Sequence, residues 1–336
     1  MKTSSLLKRI ARTIMWILAG VVVLAAVGAF YQALSTRSDL RNHPALGQLV
    51  DVGGYKLHIY CVGENVEGSP TVILEQGLGG TSVAWARVQL EIAQSTRTCA
   101  YDRGGMGWSD PGSEPRDGEQ IATELHTLLH NANIPGPYVL VGWSFGGLYV
   151  RIYAGKYPTE VSGIVLLDSS HPDQWTSTAA GKSQFASNAR IYKIAPWLVR
   201  LGVMRVMGVF QPDPGLPTAQ NEAYKVFFAS TKDWDAQSAE YLASPVTNHQ
   251  ARNLTSLGDM PLFVLTATEH GTPPEQETLW QGWQNELALL STNSVHQIVP
   301  EANHVSFWLD PETAKISVEK ILHVVEAAQT GERVKP

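Results

Sequence analysis

A mostly parallel, eight-stranded α/β sheet with helices on both faces is the fold class that this sequence predicts. Three observations predict it. Short runs rich in β-branched residues alternate with amphipathic stretches from about residue 71 onward, the pattern of parallel strands joined by helical crossovers. Two apolar-rich runs precede them, Leu49-Val50-Asp51-Val52 and Tyr55 to Cys61, flanking Gly53-Gly54 as an antiparallel hairpin would. Finally, Tyr138-Val139-Leu140-Val141 passes straight into a helical pattern through Gly142-Trp143-Ser144-Phe145-Gly146-Gly147.

The N-terminal stretch stands apart from that alternation. Residues 1–36 carry Lys2, Lys8, Arg9 and Arg12 and no acid, and Thr13 to Thr36 carries no charge. Ile14 to Tyr31 is almost wholly apolar and long enough to span a hydrocarbon core. Trp16 and Tyr31 stand near its ends, where interfacial aromatics belong, and the basic cluster before it predicts a cytoplasmic N-terminus with the bulk of the chain exported. A cleaved signal peptide is the rival, but the apolar region is longer than such peptides need, so an uncleaved anchor over residues 1–36 is the expectation. Residues 37–48, polar and with Pro44 and Gly47, read as a linker off the membrane.

Beyond the hairpin, Thr71 to Glu75 reads as a buried strand, followed by the flexible turn Gln76-Gly77-Leu78-Gly79-Gly80. Thr81 is a plausible N-cap for a helix to about Gln94. Thr98 to Tyr101 is the next strand, and Asp102 to Ser109 its glycine-rich loop. Ile121, Leu125, Leu128 and Leu129 fall on one face of a helix over 117–133. Val161 to Asp168 is a further strand. Residues 171–258 then break the alternation with short helical patterns, four prolines between 196 and 217, and Trp175, Trp197, Met204, Met207, Phe210, Phe227 and Phe228, which reads as an inserted cap. Strand, helix and strand resume at Pro261–Thr266, Glu277–Leu290 and Val295–Val299, and a last helix runs from about Pro311 to Ala328.

The net charge of −6 becomes −10 once the basic N-terminal stretch is set aside, which excludes the basic footprint of a nucleic-acid binder. No clustered His/Cys ligand spacing appears, so no metal and no organic cofactor is implied.

The serine turn carries the chemistry. A strand entering a helix through Gly-x-Ser-x-Gly makes a turn so tight that the serine backbone is strained and its neighbours must lack side chains. Together with the hairpin, the glycine turn after the third strand, the Tyr101-Asp102-Arg103-Gly104 loop, the cap after the sixth strand and a late histidine, this turn resembles the α/β-hydrolase fold superfamily over roughly residues 49–328, most closely its bacterial membrane-anchored or exported serine hydrolases. The resemblance implies a core over 49–170 and 259–328 with the cap at 171–258. It makes Ser144 the nucleophile and His304, in the loop between last strand and last helix, its base. The backbone N–H groups of Phe145 and Leu78 become the oxyanion hole. The acid of the triad is left between two carboxylates: Glu269 follows the strand that usually supplies it and is expected first, while Asp168 ends the preceding strand. The implied neighbourhood of the second and fourth strands makes Cys61–Cys99 a disulfide candidate.

The resemblance further implies an ester or related acyl compound as substrate, cleaved through an acyl-enzyme. A proline-iminopeptidase-like peptidase would use the same triad with an acidic cluster in the cap, for which Asp233, Asp235 and Glu240 are candidates. A non-catalytic binding module on a hydrolase scaffold is the third expectation. Asp102 and Arg103 are expected to pair with each other and tie their loop, and Trp143 to pack under the sheet.

Overall fold

The computed structural model describes residues 2–208 and 215–336. Phe210, named above among the cap's apolar residues, lies outside the described residues, as do Pro212 and Pro214. The chain runs α1 (Lys2–Asn42), β1 (Gln48–Asp51), β2 (Lys56–Val62), β3 (Thr71–Glu75), α2 (Ala86–Ile92), β4 (Thr98–Asp102), α3 (Gly118–Asn131), β5 (Tyr138–Trp143), α4 (Gly146–Lys156) and β6 (Val161–Leu167). It continues with α5 (Ala179–Arg200), α6 (Val203–Val206), α7 (Thr218–Phe228), α8 (Thr231–Arg252), β7 (Leu262–Glu269), α9 (Pro274–Ala288), β8 (Ser294–Asn303), α10 (Ser306–Leu309) and α11 (Pro311–Thr330).

The eight strands form one sheet in the order β1-β2-β4-β3-β5-β6-β7-β8. The β1–β2 and β2–β4 pairs are antiparallel and the others parallel. Strands β3 to β6 are buried nearly throughout, as a sheet covered on both faces requires. One apolar core lies between the sheet and α3, α4 and α9, with Leu125, Leu148, Ile152 and Leu287. The other lies against α2 and α11, with Val88, Ile92, Ile321 and Val324. Cys61 and Cys99 stand opposite one another in the β2–β4 register and are joined as a disulfide.

The chain between β6 and β7 builds helices α5 to α8 over the carboxyl ends of the strands, with α5 and α8 packed together. Rings from both helices stack within it, Tyr192 on Tyr241 at 4.4 Å and Phe185 on Tyr241 at 5.4 Å.

Two local expectations give way. The polar segment after residue 36 is not wholly linker: α1 continues to Asn42, because Asp39 is held by Arg205 at 2.8 Å and the tertiary contact carries the helix past its apolar part. Thr81 makes no side-chain cap; the chain there forms a short 3₁₀ turn at Ser82–Trp85 before α2, with the Ser82 N–H donated to Asp102 Oδ1 at 2.6 Å instead.

Candidate active site

The β5–α4 junction bears out the physical argument for glycine. Ser144 has φ +55°, the left-handed region that a side chain rarely adopts. A Cβ on Gly142 would lie 2.7 Å from the Gly146 carbonyl, one on Gly146 2.4 Å from that of Glu75, and one on Gly147 1.8 Å from Ser169 Oγ. The turn is pinned to the neighbouring strand by Ser144 N–H to Leu167 O (3.2 Å) and Ser170 N–H to Ser144 O (2.9 Å). Ser144 therefore stands at the carboxyl edge of the sheet and at the N-terminus of α4, where the helix dipole favours negative charge.

His304, in the turn after β8, reaches it: Ser144 Oγ lies 3.0 Å from His304 Nε2. The other ring nitrogen, Nδ1, lies 2.6 Å from Asp168 Oδ2. The structure thus places Asp168, not Glu269, on the histidine. Asp168 directly follows β6, the strand beside the one that leads into Ser144, and adopts a left-handed φ of +43°. Glu269 ends β7 one strand further out, with an exposed side chain on the cavity wall.

The position after β7 is filled by His270. Its Nε2 lies 2.8 Å from Asp168 Oδ2, the same oxygen that holds His304, and its Nδ1 lies 2.8 Å from Glu277 Oε2. Trp280 Nε1–H (2.8 Å) and Ala267 N–H (3.1 Å) donate to Asp168 Oδ1. Burial alone would push the Asp168 carboxyl up, but the hydrogen bonds from His270 and His304 outweigh it and hold the group well below the usual carboxylate range. Burial works against a charge on His270 as well. The Asp168 and Glu277 carboxylates override it and lift the imidazole to about 9. At neutral pH the array from Asp168 through His270 to Glu277 is therefore anion, cation, anion. Asp168, His270 and His304 also bring their ligand atoms close together. Both rings, however, direct those atoms at the carboxylate oxygen between them.

Trp143 is buried beside this group, and its indole N–H donates to the His304 carbonyl at 2.7 Å, with the ring centroids 4.8 Å apart. The sequence suggested packing; the ring also anchors the loop that carries His304. An indole N–H buried in a core needs an acceptor, and that was the signal available.

The Gln76–Gly80 turn, from which the sequence expected one oxyanion donor, has its own support. Leu78 and Phe145 line the same cavity as Ser144. Arg103 donates to the carbonyls of Gln76 (2.7 Å) and Gly77 (2.8 Å), to Glu75 Oε1 (2.7 Å), and through Nε and Nη2 to both oxygens of Glu240 on α8 (2.9 Å each). The expected Asp102–Arg103 pair does not form. Asp102 is bonded to His58 Nδ1 at 2.9 Å and to the N–H groups of Ser82 and Trp108, because Arg103 is drawn instead to the two buried carboxylates. Burial raises Glu75 to about 7 in spite of Arg103.

Above Ser144 opens a cavity of about 610 Å³. Trp175, Tyr192, Tyr241, Leu279, Trp280 and Trp283 give it large apolar walls, and Gln174, Gln184, Asn188 and Gln276 give it neutral polar groups. The three cap acids proposed as amine readers are not on its wall. Glu240 is spent on Arg103, Asp235 on Arg200, and Asp233 accepts from the Gly107 N–H.

Residues 70–311 match the model of the alpha/beta hydrolase fold family. An uncharacterised protein of Schizosaccharomyces pombe is 26% identical over 314 residues, which cover 84% of this chain and 56% of the yeast protein. This chain spans about half the length or less of the first curated relatives it matches. Among solved structures, a thermophilic esterase from Thermogutta terrifontis superposes with a TM-score of 0.62 at 20% identity, covering 84% of this chain and 99% of the esterase. The enol-lactonase from Burkholderia xenovorans gives 0.57 at 19% identity, covering 83% and 100%. These two likenesses concern the fold.

Proposed function

The chain belongs to the α/β-hydrolase fold family, and on that premise we propose that it is a serine hydrolase that cleaves carboxylic esters or related acyl compounds through an acyl-enzyme. The observation that carries the reading is the unbroken line from Ser144 Oγ to His304 (3.0 Å) to Asp168 (2.6 Å) on a strained elbow. Ser144 attacks the acyl carbonyl while its proton passes to His304 Nε2. Asp168, ionised and buried, accepts from His304 Nδ1–H, fixes the tautomer and stabilises the imidazolium. The backbone N–H groups of Phe145 and Leu78 hold the oxyanion, and Arg103 keeps the Leu78 turn in place from behind. His304 then returns the proton to the leaving alcohol. Water, deprotonated by the same imidazole, attacks the acyl-enzyme and frees Ser144.

The wide, largely apolar cavity supports a substrate with hydrophobic bulk. The engagement of Glu240, Asp235 and Asp233 elsewhere weighs against the peptidase. We further propose that α1, whose apolar part is long enough to cross a bilayer, anchors the chain with its N-terminus cytoplasmic and the catalytic domain outside.

The test is intact mass after treatment with a fluorophosphonate, with Ser144→Ala and His304→Ala in parallel, followed by p-nitrophenyl esters of rising chain length. One adduct on the wild type alone, with ester turnover, is the expected outcome. A folded wild-type protein that takes no label would return the chain to the class of binding modules.

A further inference from the structure

We propose that the outer face of the cap, formed by the second half of α5 and by α6, rests in the lipid interface beside α1. The inference rests on the reading of α1 as a membrane anchor and adds to it a second, independent contact with the bilayer.

Helix α1 is not a free tether. Ala25, Gly28, Gln32 and Asp39 are covered to different degrees while most of their neighbours are exposed, which is one helical face turned to the cap. At the polar end Gln32, buried, donates to the Ala229 carbonyl at 2.8 Å and accepts from Arg205 Nε at 3.1 Å, and Arg205 also binds Asp39. At the apolar end the two backbones nearly touch. A Cβ on Gly28 would fall 2.1 Å from the Leu201 carbonyl, and one on Gly202 2.9 Å from that of Gly28. Only glycine fits on either side.

This contact sets a depth. Gly28 lies three residues inside Tyr31, where the apolar run ends, and eight inside Thr36, the last uncharged residue. At 1.5 Å of rise per residue that is roughly 5 Å and 12 Å. A cap that touches α1 at Gly28 therefore cannot stand clear of a bilayer that α1 crosses.

The surface brought to that depth is suited to it. Ile191, Ile194, Leu198 and Leu201 follow one another at three, four and three residues, a single face of α5, and all are exposed. Trp197, Val206 and Met207 extend the patch and are 62%, 73% and 67% exposed. The charges on α5 are Lys182, Arg190, Lys193 and Arg200, with no acid on the helix, in a chain whose net charge is −6. Arg200 stacks over the Trp197 ring at 5.1 Å. A basic amphipathic helix with an exposed indole is the pattern of an element lying in the headgroup layer. The N-terminal half of the same helix lines the cavity above Ser144 through Gly181, Gln184 and Asn188. One helix thus joins lipid surface and substrate wall.

The test uses the full chain in nanodiscs of phosphatidylcholine and phosphatidylglycerol, with one nitroxide label at a time on Leu198→Cys, Val206→Cys, Val22→Cys and Leu289→Cys. The described chain has no free cysteine, so each label is specific. Leu289 is the aqueous reference, exposed and at the opposite end of the sheet from the cap. The expected result is an oxygen-to-nickel-chelate accessibility ratio several-fold higher at 198 and 206 than at 289, and highest at 22. Chelate access at 198 and 206 equal to that at 289, with 22 still in lipid, would overturn the inference and leave the anchor standing. Chelate access at 22 as well would overturn the anchor and this inference together. Shielding of 198 and 206 from both reagents, with dipolar broadening at full labelling, would assign the face to a second copy of the chain and overturn the bilayer as its partner.

Discussion

His270 and His304 share one carboxylate oxygen, Asp168 Oδ2, at 2.8 Å and 2.6 Å. Asp168 is thus loaded from both sides, by the imidazole that serves Ser144 and by one that leads to Glu277. With Glu277 ionised and His270 protonated, the array carries one net negative charge, as a lone aspartate would, spread over three groups. The expected result for Glu277→Gln, which leaves Asp168 and His270 with no net charge, is a fall in kcat of about tenfold, equivalent to about 1.4 kcal/mol. Steady-state ester kinetics measure it.

The two carboxylates first weighed as the acid separate cleanly. Asp168→Asn removes the negative charge and lets an amide NH2 face His304 Nδ1, which favours the wrong tautomer and lowers kcat by about 10³- to 10⁴-fold. Glu269→Gln alters an exposed group on the cavity wall and leaves kcat within about threefold, since surface changes of this kind cost little. Equal losses in the two variants would refute the assignment.

Stability should depend on pH through His270. Its imidazole is lifted from 6.5 to about 9 in the folded chain. A base whose folded value is raised contributes its full stabilisation below about pH 6.5, and that contribution is lost as the pH climbs through about 9. Urea titrations at about pH 6 and pH 10 should differ by on the order of 3 kcal/mol at most from this group. His270→Gln should flatten the difference.

Trp143→Phe keeps the ring against His304 and removes the N–H that holds the His304 carbonyl. Stability should drop by about 1 kcal/mol, the usual worth of such a bond. Because the freed loop carries His304, the base of the proposed mechanism, kcat should fall with KM nearly unchanged, which thermal melts and kinetics on one preparation would separate.

The Cys61–Cys99 bridge closes a loop with a sequence separation of 38. On the chain-entropy account its loss costs about 4 kcal/mol. Reduction under mild denaturant should lower the melting temperature while the fluorophosphonate adduct still forms on protein that remains folded, since Ser144 sits in the turn after β5, away from the β2–β4 bridge. Thermal melts would report the first and intact mass the second.

Much of this was legible because it was periodic or sterically forced. The mostly parallel sheet followed from alternating runs and the elbow at Ser144 from a glycine-bounded turn, while His304 was singled out by the family resemblance, in a loop after the last strand. The missing parts are those that the third dimension decides. Nothing in Ala267-Thr268-Glu269-His270 says that the histidine turns toward Asp168 and the glutamate away; strand order and the φ of Asp168 settle that. Arg103 stood beside Asp102 in sequence, yet both of its ion pairs are remote, 28 and 137 residues away. Helix α1 outran its apolar segment because Asp39 found Arg205, a partner that hydropathy does not register.

The Arg103 fork also bears on how the cap can move. It clamps α8 to the turn that carries Leu78 through a fully buried ion pair, and parting such a pair costs about 3–5 kcal/mol. A conformer with α8 swung away would then be held by about one molecule in 10² to 10⁴. Among the elements over Ser144, α8 therefore serves as a fixed beam and not as a door.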